Sequence, residues 1–463
     1  MGQGPGSRSP WPWLLGAACL LVVLLGMLLP RPDHAPVSHS GSTDVAPGAA
    51  GANAATLSHA RRPNSLSSAE PAPDPREIVA SKVSRFAHDR LAVVNAMAKL
   101  YKVEVPKDVE PFFAAVEAGR WAEVKALFAS LDKFRHSTNC TEAFVALWPV
   151  VMETHGVAEA AHAWPAQKLL DYGQAVLGSL RPGMVYVGGT DAGRFIPTLL
   201  NETSDGERHV VLTQNALADG TYAQYLRFLY AERMTTLTQE DSQRAFQDYM
   251  TDAQKRLAHD QQFPDEPKQI RPGEDIRVTE GRVQISGQTA VMAINENLLQ
   301  NIMDKNPNLS FALEESFPFK STYPNAAPLG PIMELRVPDT QKFTAEAAAQ
   351  TVDYWRAASQ SLLAGSESPG NSEVLKEYSH MAAAQAGLLA DHNFPAEAET
   401  AYRLATTMGP TNPEVVLPYA NLLANQKRFA EAIYVIETAS NAAPDNKQFR
   451  DQLQTLKQAA GRN

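Results

Sequence analysis

The chain has 463 residues, a length that favours two or three domains rather than one. Apolar residues make up 44% and charged residues 20%, enough to build a core and too little charge for a wholly disordered chain. The formal net charge of −10 argues against a nucleic-acid partner, and the 2 cysteines exclude a disulfide-stapled scaffold and a cysteine-rich metal site. A mean hydropathy of −0.27 excludes a multi-spanning membrane protein.

The amino-terminal segment predicts a membrane anchor. Residues 11–29 carry no charge and are long enough to cross a bilayer as one helix. Arg8 and the amino terminus precede this run, which favours a cytoplasmic amino terminus and an extracytoplasmic body, periplasmic in a bacterium. Residues 1–29 are therefore interpreted as a cytoplasmic stub and an uncleaved signal anchor, with a cleaved signal as the alternative. The predicted molecule is a single-pass membrane protein.

Residues 30–76 are rich in Pro, Ala, Ser and Gly and contain almost no large apolar side chains. Such a segment buries too little surface to offset the entropy lost on ordering. We predict a flexible tether between membrane and body.

Residues 77–161 have a helical pattern. Apolar side chains recur every three or four residues from Ile78 to Tyr101, and the stretch 111–131 predicts two helices with Gly119 at their turn. Another helix is predicted from Thr141 to Thr154. Cys140 is interpreted as a small buried side chain, with a reactive thiol as the alternative.

Residues 162–340 alternate between strand and helix, which predicts an α/β domain whose mostly parallel sheet has helices on both faces. Strands are predicted at 184–187, 209–213, 309–313 and 332–337, and a hairpin at 276–285 with Gly281 in its turn. Helices are predicted at 194–200, 221–232 and 289–304, and a longer one is expected to open at Asp241, capped by its own carboxylate. Pro197 is expected only near a helix start.

Residues 341–463 are helical and repetitive. Small residues and prolines recur 34 residues apart, in the pairs Ala386 and Ala420, Ala398 and Ala432, Ala405 and Ala439, and Pro410 and Pro444. This period resembles the tetratricopeptide repeat. Residues 447–459 would form the cap helix that such arrays require, and the helix at 352–363 would stack on the repeats. The segment 119–124 also matches 427–432, which indicates a related hairpin near the amino terminus.

The loop after the first predicted strand is the main candidate site. Gly188 and Gly189 allow close approach of backbone to a ligand, and the next helix offers free N–H groups at its start. Thr190 or Asp191 can cap that helix, and Arg194 can pair with Asp191. A tight turn without a ligand explains the same glycines, since a lone Gly-Gly is weak evidence for a nucleotide.

Two further loops complete the predicted site, because ligands of open α/β sheets bind outside the carboxyl ends of strands. Asn215 and Asp219 follow the second strand and can instead organise turns. Glu314 and Glu315 follow a third strand, where at most one of them faces a given site. The complete set of ligand-binding candidates is Gly188, Gly189, Thr190, Asp191, Arg194, Gln214, Asn215, Asp219, Tyr222, Glu314 and Glu315.

The motifs of common catalytic sites do not occur in the sequence. It contains no H-E-x-x-H, no G-x-S-x-G and no Walker-type phosphate loop. Asp191, Asp219 and a glutamate could bind a divalent ion, but the preferred interpretation has no metal and no cofactor.

Three runs, 186–198, 212–226 and 311–335, resemble a soluble α/β region of large bacterial membrane proteins. Those proteins are uncharacterised relatives of protein O-mannosyltransferase-like, GT-C-type glycosyltransferases, often with tetratricopeptide repeats at the carboxyl end. The resemblance implies an exported α/β-plus-repeat module. It does not imply sugar transfer, because the transfer machinery of that family lies in a multi-spanning part that this chain lacks.

Two functions follow as hypotheses. The first is a membrane-anchored extracytoplasmic scaffold whose helical repeats bind a protein partner, with Asn421 and Lys376 in the groove. The second is an enzyme or accessory subunit that acts on envelope glycans or glycolipids through the α/β domain. The resemblance adds a multi-spanning glycosyltransferase as a possible partner.

Overall fold

The computed structural model describes residues 73–461 apart from 139, 280–281, 337–342 and 365–370. The predicted anchor at 11–29 and nearly all of the predicted tether lie outside the described residues. Among the described helices, none is both long and apolar enough to cross a membrane. Helix dominates the described chain, with a small mixed sheet in its middle.

An amino-terminal bundle precedes the sheet. Its helices are α1 (Pro75–Tyr101), α2 (Val109–Glu117), α3 (Trp121–Arg135), α4 (Glu142–Ala163) and α5 (Ala166–Leu177). Helix α4 extends well beyond the predicted end at Thr154. Gly156 lies inside this helix and is needed for packing, because a Cβ on it would lie 2.1 Å from the ring of Phe195.

The main sheet has the strand order β2-β1-β5-β7-β6. Its strands are β1 (Val185–Gly188), β2 (Val210–Thr213), β5 (Phe311–Glu314), β6 (Ala327–Leu329) and β7 (Ile332–Leu335). β1 pairs in parallel with β2 and β5, whereas β7 is antiparallel to both β5 and β6. The sheet is therefore mixed rather than mostly parallel. The sequence pattern does not predict β6, since it contains Pro328, which is tolerated at a sheet edge.

Helices cover both faces of this sheet. Alternate strand residues such as Tyr186 and Ala312 pack into the core that continues through the bundle and the carboxyl-terminal array. Their neighbours Val187 and Leu313 pack into a second core. The helices between strands are α6 (Asp191–Glu202), α7 (Gly220–Tyr230), α8 (Gln239–Gln262) and α9 (Gln288–Lys305), and the hairpin strands β3 (Asp275–Thr279) and β4 (Arg282–Ser286) precede α9.

Two local details differ from the sequence prediction. Pro197 lies in the middle of α6, where it cannot donate to the carbonyl of Gly193. The hydroxyl of Tyr186 donates to that carbonyl instead, so the helix continues. Helix α8 is capped by Thr238, and Asp241 completes a reciprocal capping box at the third helical position rather than serving as the cap.

The carboxyl-terminal array consists of α10 (Ala345–Leu363), α11 (Asn371–Asp391), α12 (Pro395–Met408), α13 (Pro413–Asn425), α14 (Phe429–Ala442) and α15 (Lys447–Ala460). The 34-residue period is visible in its turns. Asn393 and Lys427 both have positive φ, 63° and 65°, between paired helices. Asn412 and Asn446 both cap the following helix. Helical hairpins thus repeat at this offset, while kinship with tetratricopeptide repeats stays a prediction.

The bundle contains a hairpin of the same local form. Gly119, between α2 and α3, has φ +66°, as Lys427 has φ 65° between α13 and α14. In each case an arginine three residues past the end of the preceding helix pairs with a glutamate three positions later, Arg120 with Glu123 and Arg428 with Glu431. The sequence match between the two segments therefore corresponds to a match in local geometry.

Candidate functional site

The three predicted loops meet at the carboxyl ends of β1, β2 and β5. Asn215 donates from Nδ2 to the carbonyl of Gly189 at 3.0 Å and to Oγ of Ser316 at 3.1 Å. Oε1 of Gln214 accepts from the Ser316 N–H at 2.8 Å. Because β1 lies between β2 and β5, the three loops are neighbours, and these amide side chains join them.

Two backbone N–H groups of the β1–α6 loop, just before α6, bind a carboxylate of the chain itself. Oε2 of Glu314 accepts from the N–H of Gly189 and of Thr190, each at 2.9 Å. Glu314 is 1% exposed, and burial raises its pKa. Helix starts favour anions, and this side chain places a carboxylate beside the start of α6, on loop N–H groups that an external anion would otherwise use.

The glycines of the β1–α6 loop make room for this internal contact. A Cβ on Gly189 would lie 2.2 Å from the backbone N of Ser316, and one on Gly193 would lie 1.8 Å from Oε2 of Glu314. A Cβ on Gly188 would lie 2.5 Å from the carbonyl of Gly193. Close approach of the chain to itself accounts for all three glycines.

The other predicted side chains each have a separate partner. Thr190, not Asp191, caps α6, and Asp191 is exposed and pairs with Arg194 at 2.8 Å. Asp219 caps α7 by accepting from Thr221. Tyr222 accepts from the N–H of Thr213 at the free edge of β2, at 2.8 Å.

Among the described residues, no group of three or more His, Cys, Asp or Glu is arranged to hold a metal ion. The shared divalent-ion site considered from the sequence therefore finds no support in the described part of the chain. Glu314 and Glu315 point apart as strand alternation predicts, since Oε1 of Glu315 accepts from the hydroxyl of Tyr323 at 2.7 Å.

Helix α11 contributes two ionisable side chains that the sequence does not place at this site. His380 lies with Nε2 2.6 Å from the carbonyl of Glu315 and with Nδ1 3.1 Å from the Glu414 carboxylate. Burial would lower the pKa of His380, but the hydrogen bond and charge of Glu414, with the charges of Glu314 and Glu377, raise it to about 10. The nearby Glu414 carboxylate therefore favours the imidazolium form of His380.

Burial also acts on two further carboxyl groups at this site, those of Glu377 and Glu315. Burial and then the charge of Glu314 raise the pKa of Glu377 to about 7. Burial also raises the pKa of Glu315 to about 7. The available sequence signal for α11 is the pair Glu377 and His380, which are three positions apart and so share one face of the helix.

Further contacts hold α11 on the sheet. Nε2 of Gln385 donates to the carbonyls of Gly330 and Ile332, at 2.8 and 2.7 Å, and its Oε1 accepts from Nε1 of Trp355 on α10. His392 lies 2.7 Å from the carbonyl of Tyr323, and Lys320 pairs with Asp391. The candidate site is thus closed by the array.

Comparisons of the chain with models of protein families, with curated proteins and with solved structures find no match. The resemblance to GT-C-type membrane proteins therefore stays a prediction from three sequence runs. Function has to be argued from the geometry of this chain.

Proposed function

We propose that the protein is a membrane-anchored extracytoplasmic scaffold whose helical array binds a protein partner. The observation that carries the proposal is the closed carboxyl edge of the sheet. Open α/β sheets bind ligands at that edge, but here Glu314 takes the N–H groups and α11 covers the loops. The α/β domain in this proposal is the support on which the array is mounted.

The last hairpin and the cap helix of the array carry the side chains on which the proposed partner surface is argued. Asn421 of α13 accepts from Gln452 of α15 at 2.7 Å, so the first helices of successive units present one shared face. Tyr434 of α14 has 71% of its surface exposed, the largest value among the exposed large apolar side chains of the described chain. Tyrosine is enriched among the side chains that dominate binding at protein interfaces.

The alternative, an enzyme or accessory subunit acting on envelope glycans or glycolipids, needs Asp191, Asp219 and a glutamate within reach of one substrate. Each of these side chains has a different partner, and no arrangement of the described residues favours the enzyme. The resemblance still names one partner to look for, a multi-spanning glycosyltransferase in the same membrane.

The test is a pull-down of the full chain from its native membrane with Tyr434→Ser compared against wild type. We expect a discrete partner with wild type and a loss of at least about tenfold in its recovery with the variant, as for an interface hot spot. Phe263→Ser is the matched control, since Phe263 is also exposed, at 40%, and lies outside the array.

Equal recovery with wild type, Tyr434→Ser and a second variant, Asn421→Arg, would count against the proposal. If only Phe263→Ser lost the partner, the binding surface would lie on the α/β domain and not on the array. Circular dichroism of each variant shows whether the fold is kept.

A further inference from the structure

The contact between α11 and the sheet encloses two glutamates with unsatisfied oxygens. Oε1 of Glu314 and Oε2 of Glu377 are both buried and have no hydrogen-bond partner among the described residues. The hydroxyl of Tyr172 is buried and equally without a partner in the described chain, and it lies close enough to both carboxylates to feel their charges. A buried carboxylate in such surroundings is costly unless it is neutralised.

The backbone distinguishes the two carboxyl groups. Oε2 of Glu314 accepts two N–H bonds at the start of α6, where the helix dipole also favours a negative charge. Glu377 has no such pair of donors. Protonation of Glu377 therefore costs less than protonation of Glu314, although the proton belongs to the coupled pair.

Other ionisable groups face the pair from every element packed around it. Helix α11 contributes His380 and Lys376, α13 contributes Glu414, and Glu315 follows directly after β5. The phenols of Tyr172 on α5 and Tyr186 on β1 are neutral, because burial raises their pKa well above the usual range. The imidazolium of His380 is already paired with Glu414, so it neutralises only part of the glutamate charge.

We propose that Glu314 and Glu377 share one proton across the contact between α11 and the sheet, and that loss of this proton loosens the contact. The pair is a pH-sensitive latch between the helical array and the α/β domain. It lies apart from the array face proposed for partner binding, and its test does not depend on that proposal.

The direction of the pH effect follows from the raised pKa of Glu377. The closed contact binds the proton more tightly than the open one, so closure is strongest below the ordinary pKa of 4.5 and weakens as pH rises to about 7. The raised pKa of His380 acts in the same direction, with its contribution lost only as pH rises from 6.5 towards about 10. Both groups therefore favour closure in acid.

The test is hydrogen–deuterium exchange of the full chain at about pH 5 and about pH 8, corrected for intrinsic exchange. We expect protection of α11 and of the β1–α6 loop to fall at least about tenfold at the higher pH, since linkage allows up to tenfold per pH unit. Glu377→Gln should keep the higher protection at both values. Glu373→Gln, exposed on the same helix, should behave as wild type.

A wild-type profile that is flat with pH would overturn the proposal, as would a Glu377→Gln profile that follows wild type. Infrared spectroscopy of the unaltered chain gives a second readout that does not require the variant to fold. A protonated carboxylic acid band that persists at about pH 6 and disappears towards about pH 8 is expected, and it should remain in Glu315→Gln, which removes the other carboxyl group whose pKa is raised to about 7. Complete ionisation below about pH 5 would contradict a shared proton.

Discussion

At the scale of single residues, Gly193 is the glycine of the candidate site where an added Cβ would come closest to another atom. We predict that Gly193→Ala destabilises the protein by about 2–4 kcal/mol, because the added Cβ would lie 1.8 Å from Oε2 of Glu314 and would displace that carboxylate from its N–H donors. Chemical denaturation of the full chain measures the loss.

Gly220→Ala is the matched control for this substitution. Gly220 opens α7, and a Cβ there meets nothing within 4 Å. The control should leave stability unchanged or raise it by up to about 1 kcal/mol. Equal stability of both alanine variants would show that the loop does not need glycine for its contact with Glu314.

The sequence predicts the meeting of the three loops, since parallel neighbouring strands end at one edge of a sheet. It does not predict what Glu314 does there. That role depends on the pairing of β1 with β5, whose residues Gly188 and Glu314 are far apart in the chain, and strand order is not encoded by local pattern. The same residues are therefore compatible with an open ligand loop until the pairing is known.

At the scale of elements, the turn between α2 and α3 depends on a left-handed residue. We predict that Gly119→Ala costs about 1 kcal/mol, because Gly119 has φ +66° and any side chain there is strained even though a Cβ meets nothing within 4 Å. Thermal unfolding measures the change.

Gly206→Ala provides the comparison at a glycine in an exposed segment without positive φ. A Cβ there lies at an ordinary 3.5 Å from Oγ of Ser204, so little change is expected. A loss at Gly206 as large as that at Gly119 would show that the left-handed turn is not the cause.

Most elements are predictable because their patterns are local. The helices at 75–101 and 447–460 and the hairpin strands at 275–279 and 282–286 follow from periodicity and turn residues alone. Pro197 misleads the same reasoning. It is expected only near a helix start, but it lies inside α6, where the hydroxyl of Tyr186 bonds the carbonyl that has lost its helical donor.

At the scale of the whole molecule, the array and the α/β domain share one continuous core. The sequence predicts them as separate segments. The 34-residue period marks the repeats, but it does not show that a helix of the array packs against the sheet. From the sequence alone, α11 carries polar side chains at Glu377, His380 and Gln385. Only the structure shows that this helix packs against the sheet. Burial of these side chains is therefore the part of the site that local pattern could not predict.

Gln385 joins three elements in this shared core. It is fully buried and its amide makes three hydrogen bonds, to the carbonyls of Gly330 and Ile332 and to the indole N–H of Trp355. We predict that Gln385→Leu lowers the free energy of unfolding by about 3 kcal/mol, since it removes the amide that binds the buried Ile332 carbonyl and the buried Trp355 indole N–H. Calorimetry of the full chain should show a lower transition that broadens or divides as the array and the domain uncouple.

Gln360→Leu is the control for the loss of an amide, because Gln360 is exposed on α10, the helix that carries Trp355. Its transition should stay close to that of wild type. If Gln385→Leu unfolds at the same temperature and with the same sharpness as this control, the contact of α11 with the sheet contributes little to cohesion. The array would then be an attached module rather than part of one cooperative unit, and the closed edge of the sheet would lose its structural explanation.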